Sequence, residues 1–305
     1  MEIIAATDKP KSEHRTFALI GDFVELCKPR ISVMVLLTVV AGGFLASGNG
    51  VSFLSLINVA IGVFFIAASG SAWNQYLERY SDFLMPRTAR RPLPGQRLTA
   101  NQVTGFGAIT LGAGITYLGA VVSVPAMLLG LTTWLMYVFV YTPLKLRTCW
   151  NTAVGAVAGA LPVLIGAVGA GQQVNAAAWA LFTILFLWQF PHFMAIAWLY
   201  RRDYANGGLK MVTVVDPTGR LAGQHAIIVA AILLVTSACF AMIYETAIAR
   251  SIVLCICGIA GIWYLHASIA FAYRLNDDSA RRLLRVSLVY LPLVMLALVV
   301  GRMID

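Results

Sequence analysis

The apolar residues of this chain fall in nine runs of about 18 to 25 residues separated by short polar breaks. That is the length an α-helix needs, at 1.5 Å per residue, to cross a hydrocarbon layer about 30 Å thick. The runs lie near residues 31–48, 51–75, 103–121, 124–142, 152–170, 176–200, 225–244, 251–273 and 284–301. Only 11% of the 305 residues are charged and 60% are apolar, against roughly 25% charged in an average soluble domain. A water-soluble fold of this size could not hide so much apolar surface. The expected fold is therefore all-α: a polytopic bundle of nine transmembrane helices in the lipid bilayer.

Nine crossings leave the termini on opposite sides. From the N-terminal segment through each loop to the C-terminus, Lys plus Arg number 5, 0, 5, 0, 2, 0, 4, 1, 4 and 1. Basic loops stay on the cytoplasmic side, so the N-terminus is expected inside and the C-terminus outside. The net charge of +9 then reports topology and calls for no nucleic-acid partner. Residues 1–22 mix Lys9, Lys11 and Arg15 with Glu2, Asp8 and Glu13. They carry no short apolar core with a small-residue cleavage site, and a transit sequence would be poorer in acids. They predict a cytoplasmic tail ahead of a single membrane domain, 23–305, in a bacterial cytoplasmic (inner) membrane.

Acids at the ends of spans are functional candidates. Glu78 and Asp82 follow the second span, and Asp203 and Asp216 follow the sixth. Asn74, Glu78 and Asp82 are spaced four and four, which on a helix places their oxygens in one stripe. Such a stripe suits a hard cation such as magnesium bridging carboxylates to a phosphate-bearing substrate; ordinary solvated acids at a helix end would show the same spacing. Arg87, Arg90 and Arg91 follow at once. Arginine forks bind diphosphate oxygens, although positive-inside bias alone also puts arginines here.

The sixth span carries Trp188-Gln-Phe-Pro-His192 and ends in Trp198-Leu-Tyr-Arg-Arg-Asp-Tyr204. Gln189 and His192, three apart, are expected on one face, and that face is expected to continue about three turns down to Asp203. His192 stays open between a substrate contact and a hydrogen-bonded structural histidine. Pro191 removes one backbone bond and invites a kink.

The chain resembles the protoheme IX farnesyltransferases, or heme O synthases, of the intramembrane aromatic prenyltransferase superfamily. The resemblance runs along nearly the whole chain, through Lys28-Pro-Arg30, Asn74 to Pro94, Tyr141-Thr-Pro-Leu-Lys145, Trp150-Asn-Thr152, Gly159-Ala-Leu-Pro162, the two sixth-span motifs, Ala280-Arg-Arg282 and Tyr290-Leu-Pro292. Each motif is short; their order and their places at the ends of the spans carry the likeness. The resemblance implies transfer of a farnesyl group from farnesyl diphosphate to a vinyl group of protoheme IX, with water addition, giving heme O and diphosphate. It implies magnesium on Asn74, Glu78 and Asp82, with Asp203 at a second metal position, and diphosphate on Arg87, Arg91, Lys145 and Arg202. Gln189, His192, Tyr200 and Tyr204 would face heme or the attacking water, and the product would pass to a downstream heme A synthase. Glu78 stands where the superfamily more often has Asp, and no full Asp-x-x-x-Asp repeat follows the sixth span. Two other functions stay open. One is a relative that prenylates a quinone precursor or another aromatic acceptor, against which only the sixth-span motif speaks. The other is a transporter or heme-handling protein, against which the gathering of carboxylates near one membrane face speaks.

Overall fold

The computed structural model describes residues 10–47 and 50–305, and the described residues contain helices and no strands. Residues 1–9 of the expected tail, Lys9 with them, and residue 48 at the end of the first expected span lie outside them. The helices are α1 (Pro10–Leu26), α2 (Pro29–Ser47), α3 (Phe53–Leu77), α4 (Arg79–Phe83), α5 (Ala100–Val122), α6 (Val124–Leu144), α7 (Asn151–Gly169), α8 (Ala176–Leu199), α9 (Arg201–Asn206), α10 (Val212–Val215), α11 (Arg220–Ala241), α12 (Ala247–Arg274) and α13 (Asp277–Ile304). Nine of these, α2, α3, α5, α6, α7, α8, α11, α12 and α13, are long and apolar enough to cross a membrane.

Lipid supplies no hydrophobic drive between helices, so close packing has to hold the bundle together. Small residues permit it. A Cβ on Gly42 of α2 would sit 2.2 Å from Val163 O of α7, and one on Gly166 of α7 would sit 1.9 Å from Val39 O of α2. These two backbones touch where any side chain would force them apart. α3 pairs with α5, while α8 is embraced by α7, α11 and α13. The largest core cluster, with buried Tyr244, Tyr264, Phe271 and Tyr290, lies among α8, α11, α12 and α13.

Helix ends are stitched to distant elements. Thr99 and Gln102 form a capping box at the start of α5, and Asn276 and Ser279 another at the start of α13. Asn175 caps α8 and also donates to Leu45 O and Ala46 O at the end of α2 (3.3 and 3.1 Å). At the opposite end Lys210 N donates to Lys145 O (2.6 Å) and Arg201 pairs with Asp277 (2.9 Å). The basic connections after α3, α6, α8 and α12 thus meet at one end of the bundle, as the charge alternation requires. α1 runs across the expected boundary at residues 22/23: Arg97 of the loop after α4 pairs with both Asp22 and Glu25, and Phe23 packs on Phe106 of α5.

Candidate active site

The stripe of Asn74, Glu78 and Asp82 survives a change of helix. α3 stops at Leu77 and Glu78 takes φ −90°, ψ 4°. Even so, Glu78 N donates to Asn74 O (2.9 Å) and Asp82 N to Glu78 O (2.7 Å), so the four-residue spacing keeps the three side chains together. All three are buried, Asp82 to 1% exposure.

Each is met by one cation from another part of the chain. Lys28 Nζ donates to Asn74 Oδ1 (2.7 Å), Lys145 Nζ to Glu78 Oε1 (2.6 Å) and Arg91 to Asp82 Oδ2 (2.7 Å). Local structure aims these cations. Lys28 sits between α1 and α2 at φ 49°, a left-handed conformation that disfavours a side chain by about 1–2 kcal/mol. Arg91 is turned back by a tight loop in which Thr88 Oγ1 donates to Asp82 O (2.8 Å) and Gly95 N to Arg91 O (2.8 Å). Lys145 follows a π-helical turn, Met136–Tyr141, and lies 4.4 Å from the centre of the Tyr141 ring. The wider turn leaves Tyr137 O to accept from Thr142 Oγ1 (2.8 Å), and that oxygen in turn accepts from Asn74 Nδ2 (3.1 Å). Asn74 is therefore oriented with its carbonyl toward Lys28.

These groups line a cavity of ≈ 110 Å³, together with Arg87, Thr88, Tyr137, Phe193, Tyr204, Leu209 and Met211. Ligand pockets commonly measure about 300–1,000 Å³, so the enclosed part suits a small anionic head and not an isoprenoid chain or a porphyrin. Four cations, Lys28, Arg87, Arg91 and Lys145, face two carboxylates there. Burial, then Arg91, pulls the Lys28 ammonium down to about 7, Glu78 opposing. Burial works against charge on Glu78, but Lys145 outweighs it and the carboxyl is held below its usual range. Burial likewise opposes charge on Lys145, and Glu78 overcomes it, so the ammonium is held above its usual range. Asp82 is raised, burial outweighing Arg91.

The donor set fits a magnesium ion. Asp82 Oδ1 is buried without a hydrogen-bond partner, an arrangement expensive for a carboxylate unless something positive completes it. Glu78 has one oxygen committed to Lys145 and the other without a hydrogen bond among the described residues. No group of three or more His, Cys, Asp or Glu is gathered among the described residues, so a cation here would have to take further ligands from substrate phosphate and water.

Of the residues singled out from sequence, Asn74, Glu78, Asp82, Arg87, Arg91, Lys145 and Tyr204 line this cavity; Asp203, Arg202, Gln189, His192 and Tyr200 do not. The continuous face expected from His192 to Asp203 is broken, because α8 ends at Leu199 and the chain bends at Tyr200 (φ −109°, ψ 22°) before α9. Asp203 is half-buried and Arg202 exposed on that short helix. Tyr200 lies under the Arg87 guanidinium at 4.4 Å. Gln189 and His192 turn to different neighbours: Gln189 donates to Ala156 O of α7 (2.9 Å), and His192 Nδ1 lies 2.8 Å from Ser287 Oγ of α13. Asp216 accepts from Thr218 and from Leu221 N and so caps α11. Sequence reasoning assigned no role to Lys28, Thr88, Tyr137, Tyr141 or Phe193. The signals lie in Lys28-Pro-Arg30, which opens the first span, and in the Tyr141 to Lys145 motif, which closes the fourth, both on the basic side.

The UbiA prenyltransferase family pattern matches residues 35–291. The protoheme IX farnesyltransferase of Rhodopirellula baltica is 44% identical over 283 residues, covering 90% of this chain and 98% of that protein. A structure reported for digeranylgeranylglyceryl phosphate synthase superposes with a TM-score of 0.78 at 17% identity, over 94% of this chain and 99% of the other. A UbiA homolog from Archaeoglobus fulgidus bound to GPP and Mg2+ superposes with a TM-score of 0.70 at 16% identity, over 91% and 99%. The last two share the fold alone; the family pattern and the close relative together establish that the chain belongs to the UbiA prenyltransferase family, alongside its protoheme IX farnesyltransferases.

Proposed function

We propose that the chain transfers the farnesyl group of farnesyl diphosphate to a vinyl group of protoheme IX, water adding to the same vinyl group to give heme O. The observation that carries the diphosphate half is the buried, partnerless Asp82 Oδ1 beside four cations in one cavity. The relatives called protoheme IX farnesyltransferases carry the acceptor half, and the Archaeoglobus homolog bound to GPP and Mg2+ supports a metal-assisted diphosphate site.

Asn74, Glu78 and Asp82 would hold magnesium, and Asp203, next to cavity-lining Tyr204 but not itself on the lining, would be the carboxylate of a second metal position. Bound there, magnesium supplies Lewis-acid stabilisation of the negative charge that builds on the leaving oxygens. Lys28, Lys145, Arg87 and Arg91 stabilise the same charge from their fixed positions, and fixed donors in a water-poor cavity act more strongly than in solution. Lys28, Lys145 and Arg91 are held ready before substrate arrives by their pairing with Asn74, Glu78 and Asp82, and Arg87 by the ring of Tyr200. Phe193, Leu209 and Met211 form an apolar part of the cavity lining and would keep bulk water off the carbocation until the vinyl group reaches it. Heme O would then pass to a heme A synthase, and basic-side loops would place this chemistry at the cytoplasmic face of a bacterial inner membrane.

Acceptor identity is tested by single-turnover release of diphosphate from farnesyl diphosphate with magnesium, offering either heme or a quinone precursor such as 4-hydroxybenzoate. Release that requires heme supports the assignment; release that requires the aromatic acid replaces it with a quinone-pathway prenyltransferase.

A further inference from the structure

We infer that Asn151, a side chain outside the cavity lining, is a positioning residue: its amide clasps residues 209–211 onto the turn that carries Lys145 and so keeps the wall of the anion cavity closed to water. The inference rests on the farnesyl-transfer reading above and adds what holds that wall in place.

Residues 209–211 form a strap between two short helices, α9, ending at Asn206, and α10, beginning at Val212. Leu209 and Met211 are buried and line the cavity, while Lys210 between them is exposed, the alternation of an extended chain. Gly208, at φ 69°, turns the chain into the strap through a conformation that only glycine adopts freely. Lys210 N donates to Lys145 O (2.6 Å), a carbonyl at the open end of α6, where a helix leaves its last oxygens unpaired. Lys210 O accepts from Asn151 Nδ2 (3.2 Å). Among the described residues these two bonds are what holds the middle of the strap.

Asn151 is wholly buried at the start of α7. The two atoms its Nδ2 meets, Thr148 O (2.7 Å) and Lys210 O, are carbonyls, which only accept, so the amide must present its NH2 to them. Its Oδ1 is left sealed without a partner. Two ordinary roles fail on that oxygen. A helix cap would accept from an N–H of the first turn of α7, and this oxygen accepts from none; a space-filling residue would be apolar and would strand no polar atom. What the amide accomplishes is to join the strap to the turn after Lys145. That turn thus carries both the ammonium paired with Glu78 (2.6 Å) and, through Asn151, the apolar side chains of Leu209 and Met211. The chemical consequence is a partition. Ionisation breaks the C–O bond of farnesyl diphosphate, the electron pair leaving with diphosphate. The allylic cation then bonds either to the heme vinyl group or to a water oxygen, which releases one proton and gives farnesol. Closing the site to water suppresses the second course, and a loosened strap readmits it.

The test is a single turnover of the purified full-length chain in detergent with labelled farnesyl diphosphate, heme and magnesium, counting farnesol formed per diphosphate released. Hydrogen exchange over residues 207–216 is followed in parallel. Asn151→Ala removes both donations, and Asn151→Asp keeps the shape while setting acceptors against the two carbonyls. Each should raise farnesol per diphosphate about tenfold, the factor to which the net worth of one or two hydrogen bonds corresponds, and should speed exchange at the strap. Lys210→Pro removes the other bond from an exposed position and leaves α7 untouched; it should give the same rise, whether or not the Asn151 variants fold. Gly166→Ala, which loosens α2 against α7 far along the helix, should leave the partition at the wild-type value. A wild-type partition in folded Asn151→Ala and in Lys210→Pro overturns the inference, and so does an equal rise in Gly166→Ala, which would make farnesol the mark of any loosened bundle. A folded wild-type chain that releases no diphosphate removes the farnesyl-transfer reading, and this inference with it.

Discussion

Asp82→Asn separates charge from shape at the centre of the cavity. The side chain is 1% exposed, with Oδ2 on Arg91 at 2.7 Å and Oδ1 without a partner. An amide can keep the Arg91 bond through its oxygen, and its NH2 then stands where the partnerless oxygen stood, presenting hydrogens to a cation. At 4 Å and an effective dielectric constant of about 20, each pair of unit charges interacts by about 4 kcal/mol, so a lost carboxylate beside a divalent ion removes several kcal/mol before rearrangement and water recover part of it. Taking about 2.7 kcal/mol as the surviving loss, the transfer step should slow by at least about 100-fold. Single-turnover transfer at saturating heme and farnesyl diphosphate, with magnesium titrated, reads this directly. The variant should need more magnesium and still run slower at saturation, and wild-type activity should vanish in excess chelator. A variant within about threefold of wild type at every magnesium concentration, or a wild type active in chelator, would refute the metal role of the stripe.

Lys145→Met strands Glu78 in a buried site, and removing one partner of a buried pair destabilises by about 3–5 kcal/mol; thermal unfolding in detergent should show the loss, and adding Glu78→Gln should recover much of it without restoring activity. Gly166→Ala places a Cβ 1.9 Å from Val39 O and should destabilise by at least about 1–3 kcal/mol as α2 and α7 separate, a melt unchanged from wild type being the contrary result. Reporter fusions near residues 87, 147, 210 and 278 should read as cytoplasmic and the C-terminus as external; a cytoplasmic C-terminus would invert the orientation.

The nine spans were legible because lipid imposes length and polarity on every helix independently, and the Asn74, Glu78, Asp82 stripe because four-residue spacing is a local property. What joins the stripe to its cations is not local. Lys28 reaches Asn74 across 46 residues and Lys145 reaches Glu78 across 67, and neither pairing leaves a mark in either segment alone. The bend at Tyr200 was equally hidden: Trp198 to Tyr204 holds no proline or glycine, yet the helix stops there, and Asp203 leaves the face that periodicity assigned it. His192 was visible as a polar residue in an apolar span, but its partner, Ser287, lies 95 residues away.

Transfer of a farnesyl group to heme is read by incubating the purified protein with heme, farnesyl diphosphate and magnesium and weighing the porphyrin product by mass spectrometry. The expected product is heme increased by one farnesyl hydrocarbon unit and one water, formed only when all three additions are present. Heme recovered at its original mass, from protein that is folded and releases diphosphate with another aromatic acceptor, would contradict heme as the acceptor.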